Sequence, residues 1–118
     1  MLEILETYIY YLRTVENITK ITEENYICNL ELFFRYVKHR DYKIITQEDI
    51  LKYMEHLKKQ ELAPSTIKKK ITIIKGLFNW LVLQEKITVS PFQKVRIKNH
   101  LKVEKIKKSL FLQWLMVL

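Results

Sequence analysis

Lys68, Lys69, Thr72, Lys75 and Asn79 stand in the stretch LAPSTIKKKITIIKGLFNWLVLQ, residues 62–84. These side chains make no bonds on their own, but together they can hold an anion. Ammonium groups attract phosphate oxygens, a threonine hydroxyl donates to phosphate or touches a thymine methyl, and an asparagine amide reads a base edge. Their spacing decides whether they act as one surface. On a wheel of about 100° per residue with Ile67 at zero, Lys68, Thr72, Lys75 and Asn79 fall between about 80° and 140°. Lys69 and Gly76 lie just past them, near 180–200°. Ile67, Ile71, Ile74, Phe78 and Leu81 gather within about 40° of zero, which is the face expected to meet a core.

The polar strip contains no acid. A solvated helix face ordinarily mixes signs, because Glu–Lys pairs at i, i+4 stabilise it. A strip of like charge is therefore expected to lie open and to meet a polyanion. Gly76 removes side-chain bulk on the strip, for close approach either of a ligand or of a neighbouring helix. Ile73, Trp80 and Leu83 fall on a third side, so the helix is either buried on two sides or carries a partner surface at Trp80.

The charge of the whole chain agrees. The net charge is +8. Residues 1–60 hold nine Lys/Arg against ten Asp/Glu, and residues 61–118 hold twelve against three. The whole excess sits in the second half, which points to nucleic acid. Cys28 is the single cysteine, so no disulfide framework or cysteine metal site is expected, and no cofactor is called for. The start MLEILE lacks a basic signal-peptide region. The apolar end LFLQWLMVL (110–118) is about half the ~20 residues that span a bilayer. A cytoplasmic setting without a membrane partner or a small-molecule substrate is expected.

The elements that must position the strip are helical. One Gly and two Pro in 118 residues leave too few turns for an all-β fold. A first helix over about 2–16 carries Leu5, Tyr8, Leu12 and Val15 on one stripe. A second starts after Thr22 as N-cap, with Glu23 and Glu24 in its first turn and Tyr26, Leu30, Phe33 and Val37 inward. It ends near HRDYK (39–43). A third opens at Thr46-Gln47-Glu48-Asp49, a capping box with Asp in the Glu/Gln place, and aligns Ile50, Met54 and Leu57. The fourth starts at Pro64 or Ser65 and runs to about Gln84. Pro91 marks the exit. KVRIKNHLKVEKIKK (94–108) is basic and weakly periodic.

These residues resemble the N-terminal core-binding domain of the tyrosine recombinases, the phage integrase and Xer-type family. Tyr8-x-x-x-Leu12 matches the aromatic and leucine of the family's first helix. Thr19-Lys-Ile-Thr22-Glu-Glu-Asn-Tyr26 matches the entry to its second, followed by Leu30, Phe33 and Tyr36. ITQEDI (45–50) is similar to the start of its third, and LAPSTIKKKITIIKGLFNWL to its fourth. Val89-Ser90-Pro91-Phe92 looks like the family's Asn-Pro exit, with Ser90 for Asn. The resemblance covers about 5–98.

The resemblance implies an all-α fold, a four-helix SAM-like orthogonal bundle with room for a short fifth helix at the C-terminus. Residues 1–92 would form the core-binding domain. Residues 93–118 would be a basic linker and apolar tail, at the start of a missing or truncated catalytic domain. It also implies that helices two and four grip duplex DNA at a recombination half-site, alongside other recombinase protomers. Carried over by position, the contacts are Thr19, Lys20, Thr22 and Asn25 at the second helix's start. On the fourth they are Thr66, Lys68, Lys69, Thr72, Lys75 and Asn79, and in the linker Lys94, Arg96 and Lys98.

The family's chemistry needs two Arg, a Lys, an H-x-x-R motif and a nucleophilic Tyr, all from a second domain. His39, His56 and His100 are not followed by Arg three positions on. A tyrosine without arginines to hold the phosphate gains little transition-state stabilisation, so no catalysis by this chain is expected. The histidines read as loop or surface residues, Cys28 as a small helix residue and the Phe33-Phe34 pair as core. The alternative function is a small helical protein-interaction module using Trp80 or the 110–118 tail, without nucleic-acid binding.

Overall fold

The computed structural model describes residues 2–92, with the side chains from Glu3 onward. The described residues are helical and contain no strand. They comprise α1 (Leu2–Thr14), α2 (Lys20–Tyr36), a short 3-10 turn (Tyr42–Ile44), α3 (Gln47–Lys59) and α4 (Pro64–Leu83). The expected linker, apolar tail and fifth helix lie outside the described residues, as do Lys94, Arg96, Lys98, His100 and Trp114. The chain divides into two compact units, one up to Ile44 and one from Ile45 onward.

In the first unit α1 packs on α2. Leu5, Tyr8, Ile9 and Leu12 of α1 are buried, as are Leu30, Phe33 and Phe34 of α2 and Val37 just beyond it. Phe33 and Phe34 are core, with ring centroids 6.1 Å apart. Val15 is expected on the α1 stripe but is 59% exposed. Val15 N–H still donates to the Tyr11 carbonyl at 2.8 Å, but the residue stands just past the helix end at Thr14, two positions before Asn17 turns the chain with a positive φ of 53°.

The start of α2 also differs from expectation. Its N-cap is Thr19, in extended conformation, whose Oγ1 accepts the Thr22 backbone N–H at 3.1 Å. Thr-x-x-Thr offers two possible caps. The earlier one prevails because Lys20 and Ile21 already take helical geometry.

In the second unit α3 packs on α4. The capping box forms as the sequence suggests. Asp49 N–H donates to Thr46 Oγ1 at 3.3 Å, and Thr46 N–H donates to Asp49 Oδ2 at 2.9 Å. Ile50, Tyr53, Met54 and Leu57 are buried. Pro64 takes the first-turn place of α4, and Ala63 stands at the cap without a side-chain bond. All five residues of the predicted α4 stripe are buried, and Ile73, Leu77 and Trp80 are buried with them. The helix is thus covered on two sides. Trp80 is only 5% exposed and so offers no docking surface.

Helix ends show how a chain with one glycine leaves its helices. Asn17, Lys38, His39, Glu61 and Glu85 all take positive φ, between 53° and 59°. Each follows a helix closely, where glycine is ordinarily preferred. Beyond α4 the chain turns back onto its own core. Phe92 N–H donates to Ser90 Oγ at 3.1 Å, Ser90 and Phe92 are buried, and the Phe92 ring lies 6.3 Å from that of Phe78. An Asn side chain supports such a turn in the same way. Among the described residues no helix is long and apolar enough to cross a membrane.

Candidate nucleic-acid interface

The start of α2 is built on side-chain bonds to the backbone. Thr19 Oγ1 caps Thr22 N–H and donates its own proton to Thr22 Oγ1 at 2.9 Å. Both hydroxyls are therefore held in place by the cap. Lys20 and Asn25 are exposed and Thr22 is half-buried.

Asn29, which the sequence pattern alone does not single out, fixes Asn25. It is buried, and its Nδ2 donates both to the Asn25 carbonyl at 2.8 Å and to Asn25 Oδ1 at 3.0 Å. With the Asn25 side-chain oxygen engaged, its amide hydrogens are what it offers to an incoming acceptor. The signal in the sequence is an Asn–Asn pair at i, i+4, which on a helix brings the two side chains together.

One carboxylate at this end is neutralised from α1. Arg13 Nε and Nη2 donate to Glu23 Oε1 and Oε2, each at 2.9 Å. The hydrogen bonds from Arg13 hold the Glu23 carboxyl below its ordinary range, helped by the guanidinium charge, and they hold Arg13 above its own. Glu23 thus presents a paired charge near Thr19 and Lys20.

On α4 the expected strip is only partly open. Lys69 and Asn79 are exposed, and Thr66, Lys68, Thr72 and Gly76 are half-buried. Lys75 corrects the expectation: it is 8% exposed and does not lie on an open face. On the wheel it falls at about 80°, the strip's inner edge, some 40° from the core stripe. The second buried side, formed by Ile73, Leu77 and Trp80, falls at about 220–280°, away from Lys75, so it is the border of the core stripe beside Ile71 that takes Lys75 in. Thr72 is corrected as well. Its Oγ1 donates to the Lys68 carbonyl at 2.6 Å, so the hydroxyl proton serves the helix and its methyl and lone pairs remain.

The electrostatic contrast between α3 and α4 survives these corrections. On α3, Lys52 pairs with Glu48 at 3.1 Å and Lys59 with Glu55 at 3.7 Å, both at i, i+4. That is an ordinary mixed face. The twenty residues of α4 include no carboxylate. Among the described residues, no carboxylate lies within ion-pair distance of Lys68 or Lys69. The described residues also hold no cluster of three His, Cys, Asp or Glu suited to a metal ion.

The family described as phage integrase, N-terminal SAM-like domain, matches residues 4–88. The tyrosine recombinase XerC of Herpetosiphon aurantiacus is 29% identical over 90 residues, which are 74% of this chain and 29% of the relative. The tyrosine recombinase XerC of Treponema denticola is 26% identical over 98 residues, 81% of this chain and 32% of the relative. The chain therefore spans about a third of the length of these curated relatives. No solved structure gives a significant match.

Proposed function

The chain belongs to the family of phage integrase N-terminal SAM-like domains, and from that premise we propose that it binds duplex DNA for a tyrosine recombinase, in the cytoplasm and beside other recombinase protomers. Two surfaces make the contacts. One is the start of α2, with Lys20 and Asn25 supported by the Thr19–Thr22 cap. The other is the first half of α4, with Lys68 and Lys69, and with Asn79 further along. Lys94, Arg96 and Lys98 extend the cationic set in the sequence. The chain supplies grip and leaves strand cleavage to another domain.

The observation that carries this reading is the acid-free α4 with Lys69 open to solvent. Lys68 and Lys69, with no carboxylate of the described residues within ion-pair distance, repel one another, and a row of phosphates relieves that repulsion while releasing counterions. Fluorescence anisotropy of a labelled duplex, titrated across a range of salt, tests it. Six cations on phosphates give a log–log slope of about −5. Affinity that does not change with salt, or no binding at low salt, overturns the proposal.

A further inference from the structure

A second exposed basic surface lies at the far end of α2, in the segment RYVKHRDYK, residues 35–43. Arg35, Lys38, His39, Arg40 and Lys43 are all exposed. The one acid, Asp41, has Oδ1 accepting the Lys43 backbone N–H at 2.8 Å. Among the described residues, no carboxylate lies within ion-pair distance of Arg35, Lys38 or Lys43.

The segment is held in shape. His39 N–H donates to the Phe34 carbonyl at 2.8 Å, Arg40 N–H to the Val37 carbonyl at 3.3 Å, and Arg40 Nε to that same carbonyl at 3.0 Å. Lys38 and His39 take positive φ in succession, a conformation that costs a non-glycine residue roughly 1 kcal/mol or more. Cations at a helix C-terminus are favoured by the helix dipole within the last turn. That accounts for Arg35 but not for Lys43, which lies beyond the helix in the 3-10 turn.

The position relative to Lys20 gives the segment its meaning. Lys20 and Arg35 are fifteen residues apart on one helix, about 60° apart on the wheel, and both are exposed. The seventeen residues of α2 span about 25 Å. The major groove is about 12 Å wide. A helix of that length laid across the groove reaches the phosphates on both of its sides. We propose that the basic turn around Arg35, Lys38 and Lys43 is a second phosphate-contacting surface, engaging the duplex backbone across the groove from Lys20. This inference rests on the duplex-binding reading above.

The test uses the full chain and a labelled mixed-sequence duplex several helical turns long. Anisotropy is measured across salt for the wild type, for R35A/K38A/K43A and for K52A/K59A. Arg40 is left intact because its side chain bonds the backbone, and circular dichroism checks that each variant stays helical. The triple variant is expected to flatten the log–log slope by about 2.7, from three contacts at about 0.9 each, and to weaken binding at least tenfold. K52A/K59A removes lysines already paired within α3 and is expected to leave the slope nearly unchanged. Flattening by K52A/K59A in proportion to the charge removed, about two-thirds of that in the triple variant, would mean net charge alone acts, and it overturns the inference. A triple variant with the wild-type slope also overturns it, while wild-type binding keeps the DNA-binding proposal standing. Failure of the wild type to bind removes both.

Discussion

Arg13 and Glu23 meet in a two-pronged ion pair, guanidinium to carboxylate, that joins the end of α1 to the first turn of α2. The pair ties the two helices of the first unit together. It also neutralises an acid in the first turn of α2, close to Lys20.

Because Arg13 lowers the Glu23 carboxyl below its ordinary range, the folded state favours the ionised form. The resulting stability is present above the unfolded value of about 4.3 and is lost as pH falls through the lowered folded value. Thermal melts of E23Q are expected to show a shallower loss below about pH 4.3 than the wild type. The effect is modest, since Arg13 sits in solvent and salt screens the pair. Identical acid limbs would contradict the coupling.

The same pair predicts a binding defect at a distance. In R13A, Glu23 keeps its charge without a partner near Thr19 and Lys20. Duplex affinity should fall severalfold at low salt and recover toward wild type in R13K or in R13A/E23Q. Equal weakening in R13A and R13A/E23Q would show that the effect comes from lost structure.

Lys69 and Lys75 should behave oppositely. K69A removes an exposed cation and is expected to flatten the salt slope by about 0.9. K75M alters a buried position, so its effect belongs in the unfolding midpoint, with the slope unchanged. A slope change in K75M as large as that in K69A would return Lys75 to the interface.

Thr46 caps α3 from both directions, through its hydroxyl and through its own N–H on Asp49. T46A is expected to cost about 1 kcal/mol in urea unfolding. A loss no larger than a few tenths would mean that the cap adds little.

Glu61 and Glu85 hold positive φ just past α3 and α4. Glycine relieves the steric strain there, at about 1–2 kcal/mol for a left-handed residue, against its own entropic disadvantage of about 0.5–1 kcal/mol. It also removes a carboxylate from the negative end of each helix. E61G and E85G should each raise stability by up to about 1 kcal/mol, read as a higher denaturant midpoint. Destabilisation by both would show that these carboxylates make contacts worth more than the strain.

Features set by near neighbours in the chain are legible in the residues themselves. The α3 capping box needs only Thr46 and Asp49 three positions apart, and the α4 stripe needs only helical periodicity. Thr-x-x-Thr leaves the start of α2 open, because either threonine can cap and the choice depends on how early the backbone turns helical. The side-chain state of the candidate site is less legible still. A wheel gives the direction of Lys75 but not the width of the arc that neighbours cover, and the covered arc around the core stripe extends to it. Asn29 escapes a reading by pattern because its role, holding Asn25, depends on its being buried.

The turn at Ser90–Phe92 acts as a mooring. Its buried ring and capped N–H fix the point where the chain leaves α4's core. Residue 98 lies six residues further on and, at full stretch, stays within about 20 Å of that post. On the proposed reading, a duplex held by α4 stays within that reach of the cations at 94, 96 and 98 of the sequence, so that chain length, and not bulk concentration alone, would set their binding.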